Sequence, residues 1–281
     1  MKVRICADST CDLSPELIAK YDIGIVPLYI VKGEDALKDG IEIQPQDIYD
    51  YVKSTGKACT TAAVSVGDYI DYFTEQLKSC DAVVHLTISS SMSACYQNLC
   101  QAAEEFPGQI FPVDAANLST GIGQLALCGA EMAAAGVAAA DIQAALVAKR
   151  EKLDVSFVLD TLFYLHKGGR CSGVAALGAN LLSLKPCIEV KDGKMGVGKK
   201  YRGSLKKSMI AYINDRLVGK DDIDYSRIFI TYTDIDPEIL GAVREAVAAS
   251  GPWGEILETM AGCTVSNHCG PGCLGVLFFH K

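Results

Sequence analysis

The chain has 281 residues, is 49% hydrophobic and carries a formal charge of −8. That length allows a substantial core in one large or two ordinary domains. The acidic balance argues against nucleic acid or an anionic membrane as a main partner, because both demand dense Lys and Arg.

The first ten residues, MKVRICADST, meet charge too early for the apolar core of a secretory signal. The most apolar long window, residues 121–140, is rich in Ala and Gly and includes Gln124 and Glu131, so it reads as a buried helix. A cytoplasmic protein without stable membrane insertion is therefore expected. Twelve cysteines run from Cys6 to Cys273 inside apolar stretches with no CxxC pair, which points to free buried thiols.

Candidate strands come first at 3–7, 24–31, 82–88 and 109–113. Between them Tyr69, Ile70, Phe73 and Leu77 fall at helical spacing, as do Met92, Cys95, Tyr96, Leu99, Ala103 and Phe106. This alternation predicts a mostly parallel sheet with helices on its faces. Two Ala-rich helices follow at about 120–136 and 139–153. The pattern then changes: Asp192-Gly193 marks a β-hairpin, helices are predicted at 204–218 and 237–249, and strands at 227–233 and 273–279. The fold class is α/β, with two α/β domains. The first, over 1–155, is a Rossmann-like layer sandwich on a parallel sheet, and the second, over 156–281, is smaller with a mixed sheet.

Nucleotide motifs fail on spacing and context. GKMGVGKK (193–200) has Lys200 where a phosphate loop needs a hydroxyl for Mg²⁺, and it lies in a hairpin instead of preceding a helix. GIGQLALCG (121–129) lacks the third glycine of a dinucleotide fingerprint. ADSTCDLS (7–14) puts Asp8 and Asp12 at a strand end, where loop and capping duty is the ordinary role, and Ser14 before Pro15 is a good helix cap.

Four hydroxyl-bearing or basic stretches remain. In TISSSMSACYQN (87–98), Ser89, Ser90 and Ser91 are expected to satisfy helix amides, while Ser93 in the first turn would favour an anion. ACTTAAVSVGDY (58–69) places Thr60 and Thr61 in a small-residue loop. FYLHKGGRCSG (163–173) ends a helix on Lys167 and two glycines and presents Arg170, as a solvated cap or aimed at an anion. CTVSNHCGPGCLGVLFFHK (263–281) holds His268 beside a rigid turn. There Cys263, His268, Cys269 and Cys273 only superficially resemble a zinc site, no cysteine is singled out as a nucleophile, and a histidine fixed to donate a hydrogen bond fits best.

Together these stretches resemble the DegV family of bacterial fatty-acid-binding proteins. The resemblance is carried by DSTCDL (8–13), TTAAVSVGDY (60–69), ISSSMSACYQ (88–97), VDAANLSTGIG (113–123), LHKGGRCSG (165–173), LKPCIEVKDGKM (184–195) and NHCGPGCLGV (267–276), in family order. It implies a ligand tunnel between two α/β domains that buries a long-chain fatty acid, with no other cofactor and no metal. Its carboxylate would be held by Thr61 or Thr60, Ser93 and His268, with Arg170 close by. It also implies a partner, an ATP-dependent fatty acid kinase in a separate chain, which phosphorylates the presented carboxylate for phospholipid synthesis, with Arg202 at the contact. The chain departs from the family at TTAAV, where T-S-Q-P-S is usual, at Ala94 and Cys95 for Gly-Thr, and at Ala115 for serine. The alternatives are a hydrolase or transferase using Ser93 and His268 as nucleophile and base, and a zinc-dependent regulator.

Overall fold

In the computed structural model, which describes residues 2–172 and 184–281, the chain opens on β1 (Val3–Asp8), buried over its last four residues. It turns through Asp12, left-handed at φ 49°, into α1 (Pro15–Lys20). Ser14 caps this helix by accepting from the Leu17 amide at 3.4 Å, with Pro15 in the first turn, as the sequence predicts. The run expected as one strand over 24–31 is two, β2 (Gly24–Val26) and β3 (Tyr29–Lys32). Pro27 between them offers no N–H to a ladder. Accordingly β2 stays beside β1, while β3 joins a small antiparallel sheet with β4 (Asp35–Lys38) and β5 (Thr60–Ala62). Helix α2 (Pro45–Thr55) connects those two strands. The sequence patterns anticipate neither β4 nor α2, and the expected Thr60–Thr61 loop is a short strand.

Next come α3 (Val66–Gln76), β6 (Ala82–Thr87), α4 (Cys95–Ala103), β7 (Ile110–Asp114), α5 (Thr120–Ala134) and α6 (Ala139–Lys149). Four strands form the predicted parallel sheet in the order β2-β1-β6-β7. The helices bury the expected stripes, Tyr69 and Phe73 on α3 and Cys95 and Leu99 on α4. The helix predicted to reach 153 stops at Lys149 and, after one turn of 3₁₀ helix, gives way to β8 (Leu153–Val158). Its Val155, Phe157 and Val158 are core residues, as suits a strand covered on both faces.

The remainder runs α7 (Phe163–Gly168), β9 (Cys171–Ser172), β10 (Leu184–Lys191), β11 (Lys194–Arg202), α8 (Leu205–Leu217), β12 (Ile223–Tyr232), α9 (Pro237–Ser250), β13 (Glu255–Met260), α10 (Cys263–Cys269) and β14 (Leu274–His280). The hairpin between β10 and β11 turns on Asp192 and Gly193, with φ of 50° and 72°, the pair of left-handed conformations a two-residue hairpin requires. The mixed sheet has the order β13-β12-β14-β8-β10-β11-β9.

Alternation along β14 shows how the layers pack. Leu277 and Phe279 join the core built on the parallel sheet, and Val276 and Phe278 join the core under α8 and α9, since successive side chains point to opposite faces. The first core is continuous from the parallel sheet to the near face of the mixed one. No helix among the described residues is long and apolar enough to cross a membrane.

Tyr212 on α8 ties this arrangement together. Its buried hydroxyl donates to the Ser156 carbonyl at 2.7 Å and accepts from the Val276 amide at 3.0 Å, joining the helix to β8 and β14. Tyr212→Phe leaves both backbone groups unpaired in a dry core and is expected to cost about 1–3 kcal/mol. Urea denaturation reads this as a lowered midpoint, and an unchanged midpoint would contradict the role given to the hydroxyl.

Candidate functional site

A cavity of about 220 Å³ lies where β5, the turn before α4, the turn after α7 and α10 converge. Its polar lining includes Thr61, Ser93, Arg170 and His268, and Leu28, Ile88, Met92, Leu118, Met195 and Val265 supply much of the apolar wall. A smaller void of about 20 Å³ shares Leu118, Val265 and Cys269 and continues toward Phe157 and Leu277 on the mixed sheet. The larger cavity thus joins a few polar side chains to a mainly aliphatic wall.

Thr61 comes to the cavity through strand parity. On β5 the neighbouring Thr60 is exposed, Thr61 places its Oγ1 3.1 Å from His268 Nε2, and Ala62 and Ala63 also border the cavity. Thr60 does not line the cavity. His268 sits on α10, a helix the sequence patterns do not anticipate, which ends at left-handed Gly270. Thr233, directly after β12, fastens the turn that follows, its hydroxyl donating to the Gly270 carbonyl at 2.8 Å.

The opposite side of the ring explains the two glycines of the GGR stretch. Gly169 is the expected left-handed helix stop, with φ of 66°. Gly168 serves another purpose, since a Cβ there would stand 2.1 Å from His268 Nδ1, and only glycine lets α7 pass this close. Burial, helped by the charge of Arg170, lowers the His268 pKa to about 4. The imidazole is therefore neutral near pH 7, and Nδ1 has no hydrogen-bond partner among the described residues.

Ser93 lies just before α4, whose N-cap is Ala94, and not in the first turn as expected. Its hydroxyl accepts from the Cys95 amide at 3.3 Å and donates to Cys95 Sγ at 3.2 Å. Burial pushes the Cys95 thiol up to about 12, which keeps it protonated and unreactive. Of the three preceding serines, Ser89 donates to the Gly193 carbonyl of the hairpin at 2.6 Å, and Ser90 to Asp114. They join segments more than they cap a helix.

Asp8, read from sequence as a loop residue, is a buried support for this turn. It accepts from Tyr69 Oη at 2.7 Å and the Ile88 amide at 3.3 Å, and lies 3.0 Å from His85 Nε2. Asp12 is also fully engaged, accepting from Ser119 Oγ at 2.6 Å and the Gly262 amide at 2.9 Å. Burial raises its carboxyl pKa to about 7, against the lowering effect of those hydrogen bonds. The D-S-T-C-D spacing is the available signal for both residues, but it does not say that their partners lie tens to hundreds of positions away.

Arg170 is exposed at the cavity, donating to the Gly168 carbonyl at 2.8 Å. Arg202 is not brought to it. Strand β11 pairs with β9 at Met195 and Gly196, and Arg202 lies at the other end of β11, roughly 20 Å along a strand. Among the described residues no group of three His, Cys, Asp or Glu side chains is placed to hold a metal ion. The group that meets His268 Nε2 is the Thr61 hydroxyl, whereas a catalytic triad would need a carboxylate to orient the ring.

The same arrangement of elements recurs in known proteins. A family model described as "Uncharacterised protein, DegV family" matches residues 2–281. A DegV domain-containing protein of Clostridium perfringens is 31% identical over all of this chain and 99% of its own length. A Thermotoga maritima protein named "Fatty acid-binding protein" is 29% identical, over 98% of this chain and 96% of its own. Among solved structures, "Fatty Acid Binding of a DegV family Protein from Thermus thermophilus" aligns with a TM-score of 0.89 at 31% identity and covers both chains completely.

The state of His268 sets a pH dependence. The unfolded chain takes up a proton near the ordinary value of 6.5, the folded one only near 4. Stability from this residue is therefore fully present above pH 6.5 and is lost as pH falls toward 4, by about 3 kcal/mol in all. His268→Gln removes that contribution, so melting temperatures measured between pH 7 and 4 should fall more steeply for the unsubstituted protein than for the variant. Parallel curves would mean that the ring is not held neutral.

Proposed function

Because the chain belongs to the DegV family, we propose that it binds a long-chain fatty acid in the cavity described above and presents the carboxylate to an ATP-dependent kinase in a separate chain. One observation carries this reading: Thr61, Ser93, Arg170 and His268 line one cavity whose other walls are largely aliphatic. The relatives named for fatty acid binding support it.

The physical division of labour is favourable. Burying about fifteen methylenes at ~0.8 kcal/mol each yields about 12 kcal/mol before entropic costs, whereas each hydrogen bond to the head group adds about 1 kcal/mol net. The tail supplies affinity and the polar cluster sets orientation. Neutral His268 orders Thr61 through the bond at 3.1 Å, and Thr61 and Ser93 offer hydroxyls to the carboxylate. Arg170 contributes the positive charge from an exposed position, where screening keeps its pull modest. A carboxylate held there stays near solvent and within reach of a phosphoryl donor.

In this reading the chain consists of two α/β domains, one on the parallel sheet with the small antiparallel sheet beside it and one on the mixed sheet, and the change falls best just before Leu153, because all of β8 pairs within the mixed sheet. The kinase, and Arg202 as a contact for it, rest on the sequence resemblance. Arg202 is exposed and follows the exposed Lys199 and Lys200 on β11, a surface suited to an acidic partner.

Native mass spectrometry of protein purified from a bacterial host, followed by lipid extraction, should find fatty acid bound at one per chain. Empty protein that also refuses added palmitate and oleate would rule the binding reading out. Ser93→Ala and His268→Ala are expected to weaken palmitate binding by less than about tenfold and to reduce acyl-phosphate formation with a cognate kinase by more, because misplacing the carboxylate is costlier than losing one bond. Unchanged acyl-phosphate formation in both variants would remove them from the head-group site.

A further inference from the structure

Two halves of the head-group site come from different parts of the chain. Thr61 lies on β5 of the small antiparallel sheet and His268 on α10, separated by 207 positions in sequence. Something must hold β5 and α10 in register for their side chains to meet. Asp39, directly after β4 of the same small sheet, is built into both.

Its backbone amide donates to the Leu28 carbonyl at 2.9 Å, which anchors it at the start of β3, the strand that pairs with Thr61 through Ile30. Its carboxylate then takes four hydrogen bonds. Oδ1 accepts from the Cys263 amide at 2.8 Å. Oδ2 accepts from the Thr264 amide at 3.1 Å, Thr264 Oγ1 at 2.7 Å and Ser9 Oγ at 3.0 Å. The first three donors open α10, whose cap residue Gly262 supplies no side chain of its own. Asp39 is only 4% exposed. Thr264 in turn lines the cavity.

This donor set demands a carboxylate. Four hydrogens converge on two oxygens, and only an acceptor-only group meets all of them; an amide would turn an N–H₂ toward one of the donors. With α10 fixed at its start by Asp39 and at its end by Thr233, the helix has little freedom to rotate, and the direction of the His268 ring follows. We infer that Asp39 is a positioning residue for the fatty-acid head group, clamping the Thr61 strand to the His268 helix. This rests on the binding reading above and extends it to a residue that does not line the cavity.

The test separates positioning from simple loss of stability by using two ligands with the same tail. Affinities for palmitate and for hexadecan-1-ol are measured at pH 7.5 on unsubstituted protein and on Asp39→Asn. Palmitate affinity is expected to fall about tenfold and hexadecanol affinity by less than about twofold, because the alcohol depends on the tail and little on the placement of Thr61 and His268. Equal losses for both ligands, or none for either, would overturn the inference.

Should Asp39→Asn fail to fold, Ser9→Ala removes one of the four donors at a residue that does not line the cavity and leaves the carboxylate in place. It is expected to lower palmitate affinity about threefold with hexadecanol unchanged, and equal effects again overturn the inference. Unsubstituted protein that binds neither ligand would instead sink the binding reading itself, whereas palmitate bound normally by every variant would sink only the role of Asp39.

Discussion

The His268 ring occupies a slot that admits no Cβ on the Gly168 side and is bounded by Thr61 on the other, and this packing constraint sets most of the chemistry around it. Because the slot is dry, the ring gives up its charge. Because the charge is gone, the cavity mouth can be polar without a buried ion to compensate, and the penalty of desolvating an imidazolium is avoided. Positive charge is left to Arg170 at the exposed edge. An acidic ligand group would thus meet neutral hydrogen-bonding groups inside and a cation outside.

Such a slot needs rigid walls, and the walls are held by buried carboxylates. Asp8 steadies the end of β6, from which the Ser93 turn departs. Asp12 and Asp39 receive the successive amides at 262, 263 and 264 that begin α10. Gly262 sits between these two acids, where a Cβ would lie 3.1 Å from Asp12 Oδ1 and 3.5 Å from Asp39 Oδ1. Carboxylates accepting several backbone N–H groups are well suited to a helix start, where the peptide dipoles present partial positive charge. Here they hold a helix of only seven residues that would have little stability by itself.

How much of this is legible in the sequence differs by element. Long periodic segments are clear: α3, α4, α8 and α9 show their stripes, and Asp192-Gly193 announces the hairpin through a turn preference that is local. The short strands that escape share a cause. β4, β5 and β13 are short edge or near-edge strands whose identity depends on a neighbour far along the chain, and β8 merges with the preceding helix because Leu153 continues its apolar spacing. α10 is hidden because Cys, Thr, Val, Ser, Asn and His are indifferent helix formers, and what folds them is the pair of distant acids. The motif resemblance names the candidate members of the site, while strand parity chooses Thr61 over Thr60 as the one facing His268, and neither reveals that Gly168 exists for His268.

The substitution of Cys95 where the family commonly has threonine bears on how the site receives a ligand. In the proposed reading, Ser93 would release its hydroxyl hydrogen from Cys95 Sγ to donate it to a carboxylate. Sulfur is a weak acceptor compared with oxygen, so the exchange forfeits little, and the Cys95 amide continues to hold the Ser93 oxygen in place. The serine is therefore fixed in position but free to reorient its hydrogen, as the proposed carboxylate contact would require. Because the thiol stays protonated, this freedom comes without a reactive nucleophile beside Ser93.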